Sequence, residues 1–360
     1  MTPTRREFMI SAALPAVGAA QAPPASFVPT ERSRAIMRMF GLKYPIFEAC
    51  HGSATSPELA IAVSEAGAMG ALASIGSPEN ARKTVSRVRA ATKGSFAVNT
   101  ILALQSGDGL AWLNGVLEAG APAVQFSWGM PSRDAVAAIR AAGARWGVQV
   151  AGPEGARAAL DLGADYLVCQ GTEAGGHVQA TRGLYETLPL VLAEAGQKPV
   201  VASGGIGNGA GIFKALLAGA SAAALGTRFV ATRECPAHAD YKQAIVAAFA
   251  QDTVLTNCFQ DGWAAVHRVI RNRTVAMWEA AGCPPPGKRP GEGDVLAVRA
   301  DGAKVLRYAI GVAKNDYKGS IMELPLWAGK GVDFVKDLPG AGDLVARLWK
   351  ECEAAGKSSA

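Results

Sequence analysis

The feature that most constrains this 360-residue chain is a glycine that returns at nearly even spacing. Each time it follows a helical segment and precedes a short apolar run. The positions are Gly67, Gly94, Gly120, Gly143, Gly163, Gly196 and Gly219. Several share one local phrase, as in Ala66-Gly67-Ala68, Ala119-Gly120-Ala121 and Ala218-Gly219-Ala220. Glycine just past a helix takes the left-handed conformation without a Cβ clash. The apolar run that follows has the length and composition of a strand buried on both faces.

Eight such runs can be counted: Pro45–Ala49, Met69–Ser74, Phe96–Ile101, Ala123–Ser127, Trp146–Ala151, Tyr166–Gln170, Pro199–Ser203 and Ala222–Gly226. Between them lie segments with helix-start signals, such as Ser56-Pro57-Glu58 and Ser77-Pro78-Glu79. Each offers a serine N-cap, a proline in the first turn and an acid near the positive helix end. Eight parallel strands joined by helices predict an α/β fold, a closed (β/α)8 TIM barrel. An open doubly wound sheet is the alternative. After the eighth run the rhythm stops, which predicts a mainly helical region inserted there. The expected division is a leader over 1–22, a lead-in over 23–44, the barrel over 45–235, a helical and loop region on the substrate side over 236–329, and a terminal helix packing on the barrel within 330–360.

Most glycine intervals run from 20 to 27 residues, but the one from Gly163 to Gly196 is 33. The excess falls in Gly171-Thr172-Glu173-Ala174-Gly175-Gly176-His177, just after the sixth strand. Barrel active sites lie on the loops that follow strand C-termini, so chemistry is expected there. The glycine pair lets a ligand approach the backbone, and His177 beside it is a candidate base. The seventh strand ends in Ser203-Gly204-Gly205-Ile206-Gly207 and the eighth in Leu225-Gly226-Thr227-Arg228. Glycines after strands seven and eight, leading into a helix, form a phosphate site from backbone amides and the helix dipole. The spacing matches neither GxGxxG nor GxxxxGK[ST], so a Rossmann site or an ATP-binding P-loop is not supported.

The rest of the sequence narrows the setting. Hydrophobic residues make up 49% and charged ones 18%, which excludes a disordered chain. The net charge of +6 comes from scattered residues rather than a block, giving no nucleic-acid site and suiting an anionic ligand. Six cysteines form no CxxC pair and no metal-ligand spacing, so no metal is expected. Cys50 and Cys169 read as buried thiols. Thr4-Arg5-Arg6-Glu7-Phe8-Met9 resembles a twin-arginine export signature, and a short small-residue stretch follows it to Ala20. The expectation is export by the twin-arginine translocase to the periplasm or cell envelope, with a cytoplasmic leader as the alternative. His238 and His267 read as surface or capping residues, and Glu173 as either a tuner of His177 or an exposed loop carboxylate. The sequence allows a homo-oligomer without specifying one.

The phrase Asp165-Tyr166-Leu167-Val168-Cys169-Gln170-Gly171-Thr172-Glu173-Ala174-Gly175-Gly176-His177 resembles a signature of the nitronate monooxygenase family, formerly the 2-nitropropane dioxygenases. Pro199–Ile206, Gly226–Phe229, Val98-Asn99 and Pro325–Gly329 are similar as well. The resemblance implies FMN at the barrel mouth, its phosphate on Gly204, Gly205, Gly226 and Thr227, and Asn99, Gln170 and Gly175 near the flavin. It implies that His177 is the catalytic residue, taking a proton from a nitroalkane or orienting its anion, with O2 as the second substrate. The chain departs from the family where Ala49-Cys50-His51 replaces the usual Ala-Pro-Met, where Gln179 replaces a glycine, and where Ser127 replaces a common histidine. His51 and Trp128 are therefore candidate substrate-side residues. Two other functions remain open: an NAD(P)H-dependent FMN reductase of quinones or enoyl thioesters, and an exported flavin-binding protein without turnover.

Overall fold

Eight parallel strands make one sheet that curls until its two edges meet. In the computed structural model, which describes residues 29–73, 76–105, 109–260 and 262–358, they are β1 (Ile46–Glu48), β2 (Gly70–Ala73), β3 (Phe96–Ile101), β4 (Ala123–Ser127), β5 (Arg145–Val150), β6 (Tyr166–Gln170), β7 (Val200–Ser203) and β8 (Ala222–Leu225). The hydrogen-bonded order is β1-β8-β7-β6-β5-β4-β3-β2. A parallel bridge between Phe47 and Met69 draws β1 and β2 together and closes the ring. The fold is the (β/α)8 barrel read from the glycine rhythm. The leader over 1–22 lies outside the described residues, as does Ser74 at the expected end of the second strand.

Helix α1 (Glu31–Phe40) stops the end of the barrel where the strands begin. Its Ile36 and Phe40, with Leu42, pack on Phe47, Met69, Tyr166 and Val201 inside the ring. The Phe40 ring meets Tyr166 edge-on at 5.5 Å. The outer helices are α2 (Pro57–Glu65), α3 (Pro78–Ala91), α4 (Gly109–Glu118), α5 (Arg133–Ala141), α6 (Pro153–Asp161), α7 (Leu184–Ala195) and α8 (Gly209–Leu217). Ser56, Ser77 and Ser132 cap three of them, each hydroxyl accepting from the N–H three residues on.

After β8 come the one-turn helix α9 (Thr227–Val230), α10 (Ala239–Ala247) and α11 (Arg273–Ala280). Two small antiparallel sheets accompany them, which the reading of this region as mainly helical leaves out. In one, His267–Ile270 lies between Thr253–Thr256 and Gly176–His177; in the other, Val295–Val298 lies between Lys304–Leu306 and Lys318–Gly319. Strands of two to four residues are too short to carry a periodic signal, and their partners are remote in sequence. The terminal helix α12 (Ala341–Ser358) packs between α8 and α2, where the eighth helix of the barrel belongs. Its Leu344, Val345, Leu348 and Cys352 are buried there. Among the described residues, no helix is long and apolar enough to cross a membrane.

Candidate active site

The strands end, at their C-terminal side, in a cavity of about 1350 Å³. Its floor is polar. Gln125 donates from Nε2 to Asn99 Oδ1 at 3.2 Å, and Tyr166 donates its hydroxyl to Gln125 Oε1 at 3.4 Å. Asn99 Nδ2 lies 3.5 Å from the Ser127 hydroxyl. Asn99 and Gln125 face each other in the β3–β4 register, and Tyr166 of β6 reaches Gln125 across Gly147 of β5.

One side of the cavity is built from backbone. Gly204 and Gly205 take φ of 120° and 70°, a region that side chains rarely adopt. A Cβ on Gly205 would lie 2.9 Å from that of Glu173, so this turn also packs against the loop after β6. Helix α8 starts just beyond, capped by Asn208, whose Oδ1 accepts from Gly211 N at 2.9 Å. Helix α9 starts at Thr227, and the Thr227 hydroxyl accepts from Gly329 N at 3.0 Å. The glycine turn and the start of α9 thus line one space, where backbone amides favour an anion, while the start of α8 is closed by Asn208 and Glu351.

The opposite wall is aromatic and holds His177. Its ring lies 4.4 Å from Trp263, 5.2 Å from Trp327 and 5.6 Å from His267, centroid to centroid. The short strand Gly176–His177 pairs with His267 and Arg268, so the region after the barrel fixes the loop that carries His177. Gln170 grips the same loop from below, donating Nε2 to His177 O at 3.2 Å and accepting at Oε1 from Gln179 N at 2.8 Å. Burial first, and the neighbouring His267 second, push the His177 pKa down to about 4. The imidazole is therefore neutral near pH 7 and free to accept a proton. Trp128, the last wall residue, holds φ of 58° and sets its ring edge-on to Trp263 at 4.7 Å.

Comparison with known proteins agrees with this architecture. The family model described as "Nitronate monooxygenase" matches residues 33–351. A nitronate monooxygenase of Pseudomonas aeruginosa is 34% identical over 87% of this chain and 97% of its own. One from Paraburkholderia phytofirmans is 30% identical over 88% and 94%. The chain belongs to the nitronate monooxygenase family. Among solved structures, FabK from Thermotoga maritima superposes with a TM-score of 0.76 at 27% identity, covering 90% of this chain and 97% of that one. A nitroalkane oxidase from Streptomyces ansochromogenes gives 0.73 at 30% identity, covering 91% and 100%. The protein is thus an enzyme, a flavin-dependent oxidoreductase of the nitronate monooxygenase type.

All the residues singled out from the sequence line this one cavity: His177, Asn99, Gln170, Gly175, Gly204, Gly205, Gly226, Thr227, His51 and Trp128. They do not all face the same part of it. His51 sets Nε2 2.8 Å from Gly226 O, so its ring serves the anion side rather than the aromatic wall. His267, read as a surface or capping residue, is instead fully buried against His177. Its neighbours are set by strand pairing across 90 residues, which nothing in its local sequence announces. His238 caps α10, accepting from Asp240 N at 3.1 Å. Glu173 accepts from Leu184 N at 2.9 Å and braces the start of α7. Gln179 and Trp263 were not singled out as site residues. Gln179 Oε1 lies 3.3 Å from Gln149 Nε2 and 3.4 Å from Trp128 N, which in this nitronate monooxygenase relative ties the loop after β6 to β5 and to the loop after β4.

Proposed function

We propose that this enzyme oxidises alkyl nitronates with O2, using FMN held in the barrel mouth and His177 as the base or orienting residue. The observation that carries the reading is the His177 imidazole, set among Trp263 and Trp327, on a cavity also lined by the glycine turn and the start of α9. The residues present suit FMN. Gly204 and Gly205, held at positive φ, line the cavity with backbone, and Gly226 and Thr227 line the same space for a phosphate. Asn99 and Gln170 offer amides on the floor, and the backbone of Gly175 edges the space. Bound there, FMN would supply the redox chemistry, taking electrons from the substrate and passing them to O2.

The chain's own part is to bind, orient and manage one proton. His177 takes the proton from the carbon bearing the nitro group when the neutral nitroalkane binds, and orients the anion when the nitronate binds directly. Trp263 and Trp327 flank it and keep water from the reacting carbon. The Arg5-Arg6 leader belongs to the same reading: the folded enzyme leaves the cytoplasm by the twin-arginine translocase for the periplasm or cell envelope. Replacing both arginines with lysine should hold it in the cytoplasmic fraction.

The test of the activity is anaerobic stopped-flow spectroscopy of the FMN-loaded enzyme mixed with a nitronate or with NADH. Bleaching of the flavin by nitronate alone is the expected result. Bleaching by NADH alone would replace this reading with that of an NAD(P)H-dependent reductase. A spectrum inert to both, and to quinones with NADH, would leave a flavin-binding protein without turnover.

A further inference from the structure

The end of β1 carries a buried acid–histidine pair that the reaction described above does not use. The Glu48 side chain is 0% exposed and that of His51 6%. One Glu48 oxygen, Oε2, accepts from Ala71 N at 3.0 Å. The other, Oε1, faces His51 Nδ1 at 3.6 Å, and neither of these two atoms has a hydrogen-bond partner among the described residues. The remaining ring nitrogen, Nε2, lies 2.8 Å from Gly226 O.

The chemistry of these four atoms fixes where the protons are. A carbonyl oxygen only accepts, so Nε2 carries a proton. In the neutral ring Nδ1 is then bare and can only accept. An ionised Glu48 would turn a second acceptor toward it. The 3.6 Å gap is longer than a hydrogen bond; once a small side-chain rotation closes it, one further proton satisfies both atoms, either on Nδ1, which makes a buried ion pair, or on the carboxyl, which makes a neutral one. Removing two charges from water costs more than removing none. The titratable groups that interact with Glu48 besides His51 are the thiols of Cys50, just past β1, and Cys235, pushed up by burial to about 12 and about 11, so among the described residues no other cation compensates a carboxylate. Burial likewise drives Glu48 well above the ordinary carboxyl range and His51 down to about 4.

We propose that Glu48 is a protonated carboxyl that donates to His51 Nδ1, and that His51 in turn donates from Nε2 to Gly226 O, so that the pair positions the Gly226–Thr227 peptide for the cofactor. Since that peptide is trans, fixing its carbonyl also fixes the opposed N–H of Thr227. The inference rests on reading Gly226 and Thr227 as part of the phosphate cradle. It makes Glu48 and His51 positioning residues, and it gives a role to the Ala49-Cys50-His51 departure from the family's Ala-Pro-Met.

The test combines two substitutions with two spectra of the whole enzyme. In Glu48→Gln the amide oxygen accepts from Ala71 N and the amide N–H donates to Nδ1, copying the neutral acid. Glu48→Leu does neither. Titration of apo-protein with FMN, followed by flavin fluorescence, should give an affinity within about twofold of wild type for E48Q and about tenfold weaker for E48L, the size of a lost buried hydrogen bond. Infrared spectra of wild type at pH 7 should contain a protonated-carboxyl stretch that E48Q lacks, and nitrogen NMR should show His51 neutral with its proton on Nε2. An E48Q as weak as E48L, a His51 imidazolium, or a proton on Nδ1 overturns the proposal. The NMR readout needs no variant, so it decides even if E48L fails to fold. A wild type that binds no FMN would overturn the cradle reading and with it the positioning role, while the spectra would still fix the state of the pair.

Discussion

At the scale of single residues, burial decides what the histidines can do. A solvated imidazole is half protonated near pH 6.5, but His177 is pushed down to about 4. It is therefore neutral throughout the range between about pH 5 and 8, the state that the proposed role of base requires. With a neutral nitroalkane, the acid limb of kcat/KM assigned to the enzyme should fall near pH 4 rather than 6.5. His177→Ala should keep FMN and slow flavin reduction by that substrate by about 10²-fold, with a smaller loss on preformed nitronate. Equal rates in mutant and wild type would remove His177 from the proton step. The same burial couples to stability. His51, His177 and His267 all lie near 4 in the folded protein, while unfolded they titrate near 6.5. Between those values the unfolded chain binds more protons. Stability contributed by these three is complete above about pH 6.5 and is lost as the pH falls toward 4. The guanidinium midpoint should decline through that window; a midpoint flat over it would mean that the imidazoles are hydrated. His177 was legible in the sequence because it ends a long glycine phrase at a strand terminus. His267 and Trp263, which shape its environment, were not, because their contact depends on a strand pairing between distant segments.

At the scale of elements, the loop after β6 does the positioning, and its two glycines do so for different reasons. A Cβ on Gly175 would lie 2.4 Å from Gly329 N and 2.5 Å from Ala328 C, both backbone atoms that cannot swing aside. A Cβ on Gly176 would meet nothing within 4 Å, but this residue holds φ of 71°. Gly176→Ala therefore pays only a left-handed penalty of about 1–2 kcal/mol, visible as a lower urea midpoint. Gly175→Ala has to move the Trp327–Gly329 segment, and with it a wall of the site. The expected outcome is FMN affinity at least about tenfold weaker in Gly175→Ala than in Gly176→Ala, with the far-ultraviolet circular dichroism of both unchanged. The reverse order would mean that loop conformation matters more than the approach of residues 327–329. The spacing of residues 163–196 reveals that this loop is long and where it starts. It does not reveal that the Pro325–Gly329 motif, quoted only as a resemblance, lies directly against it, since nothing local links segments 150 residues apart.

At the scale of the whole molecule, the chain's last helix completes what its first strands begin. Helix α12 sits beside α8 and α2, and its Glu351 accepts from Gly209 N at 2.9 Å, at the very start of α8. A region that the sequence sets apart as 330–360 is thus the eighth outer helix of the barrel, reached only after the long excursion over the mouth. The rhythm of glycines could not show this, because the excursion separates the helix from the strand it serves. One ionic cluster ties the excursion to both neighbours. Arg228, 1% exposed in α9, donates to Asp337 Oδ1 at 2.6 Å and to Asp337 O at 3.1 Å. Arg347 of α12 donates to Asp337 Oδ2 at 2.6 Å. Asp337 is half-exposed, so the cluster lies between an exposed pair, worth about 0–1 kcal/mol, and a fully buried one, whose breaking costs about 3–5 kcal/mol. Asp337→Ala takes the carboxylate from the buried guanidinium of Arg228, leaving it the backbone carbonyl of residue 337, and should lower unfolding stability by about 2 kcal/mol, while Arg347→Ala, which leaves Arg228 paired, should cost under about 1 kcal/mol. Because Arg228 follows directly on Thr227, the Asp337 variant should also release FMN faster than the Arg347 variant. Equal stability losses would place the strength of the join in the apolar face of α12 instead, and the barrel would then be closed by packing alone.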